Sequence, residues 1–204
     1  MAHRVLFLPG ASGKRTFWRP VADRLPAGYE RVFFEWPGHG AVPPDFHVSS
    51  FDDLVALVLD RMDRPVDLVA QSMGGAVAIR AALDRPARVR HLVLTATSGG
   101  IDLARFSTED WRSPYRREHP QAAAAALLDH RGDFSDRLRT ISAPTLLLWG
   151  DSDPISPVAV GEYLASLLPR SKLIVVPGGS HMFAEEQAGV VAPYIASHLA
   201  LEVS

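Results

Sequence analysis

The sequence predicts an α/β fold in which a doubly wound parallel sheet carries helices on both faces. Two observations lead to this prediction. Short apolar, β-prone runs alternate along the chain with longer segments that keep helical spacing. The strand candidates are also continuously apolar, which is typical of strands buried on both faces of a parallel sheet. Because alternating strands and helices imply right-handed crossovers, the elements are expected to form one layered unit.

The strand and helix candidates follow one another in regular order. The strand candidates are residues 5–8, 31–35, 67–70, 91–95, 145–149 and 172–176. The helix candidates are residues 16–25, 51–62, 73–83, 158–168 and 185–199. In the second of these helices, the apolar residues keep the three-and-four spacing of one buried face; they are Phe51, Leu54, Val55, Val58, Leu59 and Met62.

A segment at about residues 101–140 interrupts the alternation. Its first half is polar, with charges around Trp111 and Tyr115, and its second half contains QAAAAALLDH, a strong helix former by composition. The segment is too long for a plain loop in a compact domain. We therefore predict one domain, residues 1–204, with a short helical cap inserted at about 101–140.

Composition and charge exclude several classes of function. The chain has 204 residues, a formal net charge of −2 and no block of like charges, so nucleic-acid and membrane-surface binding are not expected. It has no cysteine, which excludes disulfides, thiolate metal sites and cysteine nucleophiles. No apolar run approaches the roughly 20 residues of a membrane span, and the N-terminus lacks a secretory signal. A cytoplasmic location and a monomer are the default expectations.

Three strand candidates are each followed by a residue that nucleophilic catalysis requires. Ser72 follows VDLVA, Asp153 lies in WGDSDPISP, and His181 lies in GGSHMF. Because the carboxyl ends of parallel strands meet at one edge of the sheet, residues far apart in sequence converge there. A serine hydroxyl needs an imidazole to take its proton, and a carboxylate fixes the tautomer of that imidazole.

These stretches resemble the α/β-hydrolase superfamily over nearly the whole chain. AQSMGG resembles the nucleophile elbow, FLPGASG the oxyanion loop, FFEWPGHG the Asp-x-Pro-Gly-x-Gly turn, ISAPTLLLWGDSDPISP the acid loop and VPGGSHMFAEE the histidine loop. The resemblance implies Ser72 as nucleophile, Asp153 as acid and His181 as base. It also implies an oxyanion hole made by the backbone N–H groups of Ala11 and Met73. The implied strand order is 2-1-3-4-5-6, with a crevice where the first and third strands are neighbours.

The chain departs from the family pattern at several positions. Ala70 replaces the first glycine of the elbow, Pro9 replaces the histidine of the common His-Gly loop, and Glu35 stands near the usual aspartate. The two antiparallel strands that commonly precede the core are not expected, because the first strand candidate already lies at residues 5–8. An alanine two residues before the serine is small enough for the sharp turn, and the short insertion predicts a site less enclosed than usual.

Two residues compete for the assigned roles. Asp151 is the rival of Asp153, and the Pro-Ile-Ser-Pro that follows Asp153 favours the latter. His39 is the rival of His181, but the family uses the position of His39 for turn structure. Substrate contacts are expected from Ser12, Trp111 and Phe183. Neither a metal nor an organic cofactor is expected.

The sequence thus predicts a serine hydrolase that cleaves a small-molecule carboxylic ester or thioester through an acyl-enzyme. Two alternatives stay open. One is a triad-bearing lyase or synthase of the menaquinone-pathway type, whose arginine-rich pocket gives weight to Arg105, Arg112, Arg116 and Arg117. The other is a non-enzymatic small-ligand receptor on the same fold.

Overall fold

The computed structural model describes residues 3–39, 42–118 and 132–202, and its strands form one sheet. The strands are β1 Arg4–Leu8, β2 Glu30–Phe33, β3 Val66–Gln71, β4 Val89–Thr95, β5 Thr145–Gly150 and β6 Ser171–Val176. They pair in parallel in the order β2-β1-β3-β4-β5-β6. The predicted doubly wound parallel sheet and its strand order are confirmed.

Burial along the strands follows their place in the sheet. Every residue of the central strands β3 and β5 is buried, as their continuous apolar runs predict. The edge strands β2 and β6 are mostly half-buried, and both contain charged residues. The apolar runs therefore identify the interior strands more sharply than the edges.

The helices cover the sheet on both faces. They are α1 Arg19–Ala22, α2 Phe51–Leu59, α3 Met73–Asp84, α4 Arg112–Glu118, α5 Ser135–Leu138, α6 Val158–Leu167, α7 Phe183–Glu186 and α8 Ala188–Leu199, and a 3₁₀ turn spans Pro86–Arg88. A capping box of Ser50 and Asp53 fixes the start of α2. Side chains of α2, α3 and α6 share one core cluster, and those of α1, α7 and α8 share the other.

Two predicted helices differ from the observed ones. The helix predicted at 16–25 is only the four residues of α1, because the chain before it turns to bury Phe17 and Trp18. The helix predicted at 185–199 is divided into α7 and α8, since Gln187 has a non-helical backbone (φ −112°, ψ 37°). The alanine-rich helix predicted at 121–130 lies outside the described residues.

A buried cluster of titratable side chains lies near the amino-terminal ends of β3 and β4. His91 Nδ1 lies 2.8 Å from the Asp67 carboxylate, and His91 Nε2 donates to the carbonyl of Leu201 at 3.1 Å. His198 donates from Nε2 to the carbonyl of Pro144, and its ring meets that of His91 edge-on at 5.3 Å. Burial raises the pKa of Asp67, while burial and the neighbouring His91 lower the pKa of His198 to about 4.

We expect His198 to make the protein less stable as the pH falls from neutral towards 4. The native state holds this imidazole neutral down to about pH 4, whereas the unfolded chain protonates it near its ordinary pKa of 6.5. Its stabilising contribution is therefore complete above pH 6.5 and is lost between 6.5 and 4. Between pH 7 and pH 5 the loss amounts to about 2 kcal/mol of unfolding free energy.

Urea unfolding of the wild type and of His198→Gln at both pH values measures this contribution. Glutamine keeps an N–H donor near the position of Nε2 but does not titrate. The variant should thus lose about 2 kcal/mol less than the wild type between pH 7 and pH 5. Equal losses in the two proteins would contradict the assignment to His198.

Candidate active site

Ser72 occupies a sharp turn between β3 and α3, at the carboxyl edge of the sheet. Its backbone has φ 52° and ψ −123°, a conformation that residues other than glycine rarely adopt. The Ser72 carbonyl accepts hydrogen bonds from the Gly75 N–H at 2.9 Å and from the Thr97 hydroxyl. These bonds hold the strained turn, which projects the Ser72 side chain above the sheet.

Small residues on both sides of Ser72 let the strand and the helix approach the neighbouring loop. Ala70 is fully buried in β3, paired with Leu8 on one side and Leu94 on the other. A Cβ on Gly74 would lie 2.4 Å from the carbonyl oxygen of Pro9, too close for any real contact. The turn therefore accepts alanine at position 70, whereas position 74 requires glycine.

We expect Gly74→Ala to destabilise the fold by about 2 kcal/mol, although alanine is the better helix former by about 1 kcal/mol. The added methyl would meet the carbonyls of Pro9 and Leu8, and these cannot retreat freely because each accepts a bond from a buried indole, Trp36 or Trp18. Gly189→Ala in α8 is the control, since a Cβ there meets nothing within 4 Å. Urea unfolding should show the control unchanged or stabilised; a stabilised Gly74→Ala would contradict the close approach.

His181 bridges Ser72 and Asp153. The His181 imidazole lies with Nε2 3.0 Å from Ser72 Oγ and with Nδ1 2.8 Å from Asp153 Oδ2. The other Asp153 oxygen accepts backbone N–H bonds from Ile155 at 2.9 Å and Ser156 at 3.1 Å, and the residue is only 4% exposed. Because a carboxylate only accepts, Nδ1 carries the proton and Nε2 is left to accept from the Ser72 hydroxyl.

Asp151, the rival of Asp153, has a different set of partners. It is exposed, and its carboxylate accepts the N–H of Gly178 at 2.7 Å and the hydroxyl of Ser152. The backbones of the two loops also touch, since a Cβ on Gly150 would lie 2.1 Å from the Gly179 carbonyl oxygen. Asp151 therefore ties the acid loop to the histidine loop, while Asp153 contacts the imidazole.

The N–H groups of Ala11 and Met73 are available for a ligand. Neither makes a hydrogen bond to any protein atom within residues 3–39, 42–118 and 132–202. Met73 is the first residue of α3, where backbone N–H groups have no partner inside the helix. Both residues flank Ser72 in the crevice between β1 and β3 that the strand order creates.

Side chains from outside the oxyanion loop support it. The carbonyl of Ala11 accepts hydrogen bonds from His39 Nδ1 at 2.9 Å and from the Tyr115 hydroxyl at 2.7 Å. The indole of Trp36 donates to the carbonyl of Pro9 at 2.9 Å. His39 is fully buried, so it has a structural role here as the sequence suggested. No sequence pattern indicates these bonds to Ala11, because the partners lie 28 and 104 residues away.

A cavity of about 240 Å³ opens above Ser72 and His181. Among the described residues it is lined mainly by the cap and the strand-end loops, including Met73, Ser98, Ile101, Leu103, Thr108, Glu109, Trp111 and Arg112. Trp111, a predicted substrate contact, is one of these lining residues. Ser12 is exposed and is not among these lining residues, and Phe183 is buried in the core on the opposite face of the sheet.

Four arginines of the cap give weight to an arginine-rich pocket in the sequence. Arg112 lines the cavity, whereas Arg105, Arg116 and Arg117 do not.

Metal clusters and membrane-spanning helices are both absent from the described part of the chain. No three metal-ligating side chains come together there. None of the helices in that part has the length and apolarity needed to cross a membrane.

The chain is similar in sequence to two enzymes over most of its length. It is 27% identical to a pimeloyl-[acyl-carrier protein] methyl ester esterase of Neisseria meningitidis, over 87% of this chain and 86% of that protein. It is 28% identical to a 2-hydroxy-6-oxononadienedioate/2-hydroxy-6-oxononatrienedioate hydrolase of Cupriavidus pinatubonensis, over 88% of this chain and 79% of that protein.

Two solved structures have the same fold as this chain. A thermophilic esterase from Thermogutta terrifontis superposes with a TM-score of 0.78 at 23% identity, covering 98% of this chain and 90% of that one. A meta-cleavage product hydrolase from Pseudomonas fluorescens superposes with a TM-score of 0.80 at 18% identity, covering 97% and 90%. The family model of the alpha/beta hydrolases matches residues 5–193. The chain therefore belongs to the alpha/beta hydrolase family, as the sequence motifs indicated.

Proposed function

We propose that the protein is a serine hydrolase that cleaves a carboxylic ester or thioester through an acyl-enzyme. The observation that carries this proposal is the contact of His181 with both Ser72 Oγ, at 3.0 Å, and Asp153 Oδ2, at 2.8 Å. Membership in the alpha/beta hydrolase family supports hydrolysis, and relatives named as esterases support an ester substrate.

The geometry supports a specific sequence of steps. Ser72 Oγ attacks the carbonyl carbon of the substrate while its proton moves to His181 Nε2. Asp153 holds the resulting imidazolium through Nδ1. As the tetrahedral intermediate collapses, His181 returns the proton to the departing alcohol or thiol. Water then attacks the acyl-enzyme with His181 again as base, which releases the acid and restores Ser72.

The unpaired N–H groups of Ala11 and Met73 would bind the oxyanion of that intermediate. They are backbone donors fixed before the substrate arrives, so no reorganisation is needed when charge develops. Each such donor contributes about 3–4 kcal/mol to lowering the barrier. Because the donors are main-chain groups, the replacement of a histidine by Pro9 in this loop leaves them in place.

The size and lining of the cavity favour a small acyl substrate. Its volume of about 240 Å³ is below the roughly 300–1,000 Å³ of most small-molecule sites. The described cap residues, including α4, lie over the cavity, which fits our proposal of one domain with a cap at about residues 101–140. This mechanism requires no cofactor.

The placement of the arginines weighs against a lyase. Arg105 lies over the ring of Tyr163, with its guanidinium carbon 4.6 Å from the centroid, rather than at the cavity. Only Arg112 of the four lines the cavity among the described residues, whereas holding a polycarboxylate calls for several cations. Glu109 also lines the cavity, and its negative charge disfavours a polycarboxylate there.

Labelling with a fluorophosphonate, followed by an acyl-length series of p-nitrophenyl esters, tests the proposed function. We expect mass spectrometry to find the label on Ser72, a burst of p-nitrophenol before steady state, and fastest turnover with short acyl groups. Folded protein that is not labelled at Ser72 would overturn the proposal. Turnover without an acyl intermediate would favour the lyase, and ligand binding without turnover would favour the receptor.

A further inference from the structure

Ala11, whose N–H is a proposed oxyanion donor, is held by groups from two other parts of the chain. His39 reaches it from the turn that follows β2, and Tyr115 reaches it from α4 in the cap. Both bonds end on the same Ala11 carbonyl, at 2.9 Å and 2.7 Å. A carbonyl only accepts, so His39 Nδ1 and the Tyr115 hydroxyl are both donors.

Ala11 also makes apolar contacts with residues of the cap. The Ala11 methyl shares a small cluster with Met73, Trp111 and Tyr115, so both donor residues lie beneath the two cap aromatics. The rings of Trp111 and Tyr115 meet edge-on at 6.1 Å, and Trp111 lines the cavity. A substrate in the cavity therefore lies against Trp111, one of the two aromatic residues that cover the donors.

The orientation of the Ala11 backbone matters for catalysis. The N–H and the carbonyl flank the same Cα, so fixing the carbonyl restricts rotation of the residue and keeps the N–H directed at the crevice. The two bonds also keep the carbonyl oxygen, the negative end of its dipole, away from the site of the oxyanion. His39 is buried and belongs to the main domain, whereas Tyr115 belongs to the inserted cap.

From these contacts we propose that Tyr115 is a positioning residue of the oxyanion hole, which acts by holding the Ala11 carbonyl and so orienting the Ala11 N–H donor. The inference rests on the proposed function, because it assigns a role within that mechanism. When α4 lies on the oxyanion loop, the Ala11 carbonyl has both of its donors and the hole is formed.

The variant Tyr115→Phe tests this role, because it removes only the hydroxyl and keeps the ring in the cluster. We expect kcat for a p-nitrophenyl ester to fall about 5–10-fold with KM unchanged within about twofold. The rate of fluorophosphonate labelling at Ser72 should fall by a similar factor, since the phosphonyl oxygen enters the same hole. The thermal midpoint should stay within about 2 °C. Tyr194→Phe, on a 41% exposed side chain of α8, is the matched control and should behave as the wild type.

Each contrary result has a distinct meaning. A kcat and labelling rate within twofold of the wild type would overturn the positioning role. A raised KM with unchanged kcat would also overturn it, because Tyr115 would then act in substrate binding alone. A wild-type protein that neither hydrolyses esters nor takes the label at Ser72 would refute the proposed function itself, before any variant is compared.

Discussion

Ser72→Ala is expected to lower kcat for ester hydrolysis on the order of 10⁵–10⁶-fold while the protein remains folded. The change removes the oxygen that lies 3.0 Å from His181 Nε2 and leaves no other nucleophile in contact with that nitrogen within the described residues. Steady-state kinetics with a p-nitrophenyl ester measures the loss, and circular dichroism checks the fold.

Ser166→Ala is the matched control for this variant. Ser166 is exposed in α6, and its hydroxyl donates only to the nearby carbonyl of Tyr163 among the described atoms. It should keep wild-type kinetics. Substantial activity in Ser72→Ala would show that the nucleophile is not Ser72. Loss of activity in Ser166→Ala would show that removal of a serine hydroxyl is not a specific test of Ser72.

Asp153→Asn is expected to lower kcat by about 10⁴-fold. Ile155 and Ser156 donate their N–H groups to one Asp153 oxygen, so an asparagine would keep its carbonyl there and turn its amide towards His181. An amide N–H facing Nδ1 would force that nitrogen to accept, which moves the imidazole proton to Nε2. In that tautomer His181 cannot take the proton of Ser72.

Asp151→Asn separates this tautomer effect from a general loss of loop charge. An asparagine at position 151 can still accept the N–H of Gly178, so the loops should stay together. We expect its kcat to stay within about tenfold of the wild type, against the 10⁴-fold loss for Asp153→Asn. Kinetics in which Asp151→Asn is the more damaged enzyme would reverse the assignment of the two aspartates.

The parts of the fold that the sequence predicts best are those with local causes. Apolar runs identify the interior strands, whereas the order of the strands in the sheet is implied by the resemblance to the α/β-hydrolase superfamily. The limits of the edge elements are less well predicted: β2 was expected at 31–35 and is Glu30–Phe33. Gln187 breaks the helix expected at 185–199, because its backbone conformation depends on how α7 and α8 pack on the sheet.

The candidate site also combines residues that the sequence predicts with contacts that it does not predict. Ser72, Asp153 and His181 each follow a strand, so their meeting follows from the topology. The bond from Tyr115 to Ala11 joins residues 104 positions apart and depends on the docking of the cap, for which no local pattern exists. Phe183 was expected to contact substrate because it lies beside the base. It begins α7, however, and that helix turns its side chain into the core of the opposite face.

The left-handed backbone at Ser72 also limits how thermally tolerant this enzyme can become while it stays active. A residue other than glycine in such a conformation costs about 1–3 kcal/mol, a sizeable fraction of the 5–15 kcal/mol that keeps a typical domain folded. Glycine would relieve the strain but would remove the hydroxyl. Under the proposed mechanism, mutations that raise heat resistance without loss of activity therefore act at positions other than Ser72.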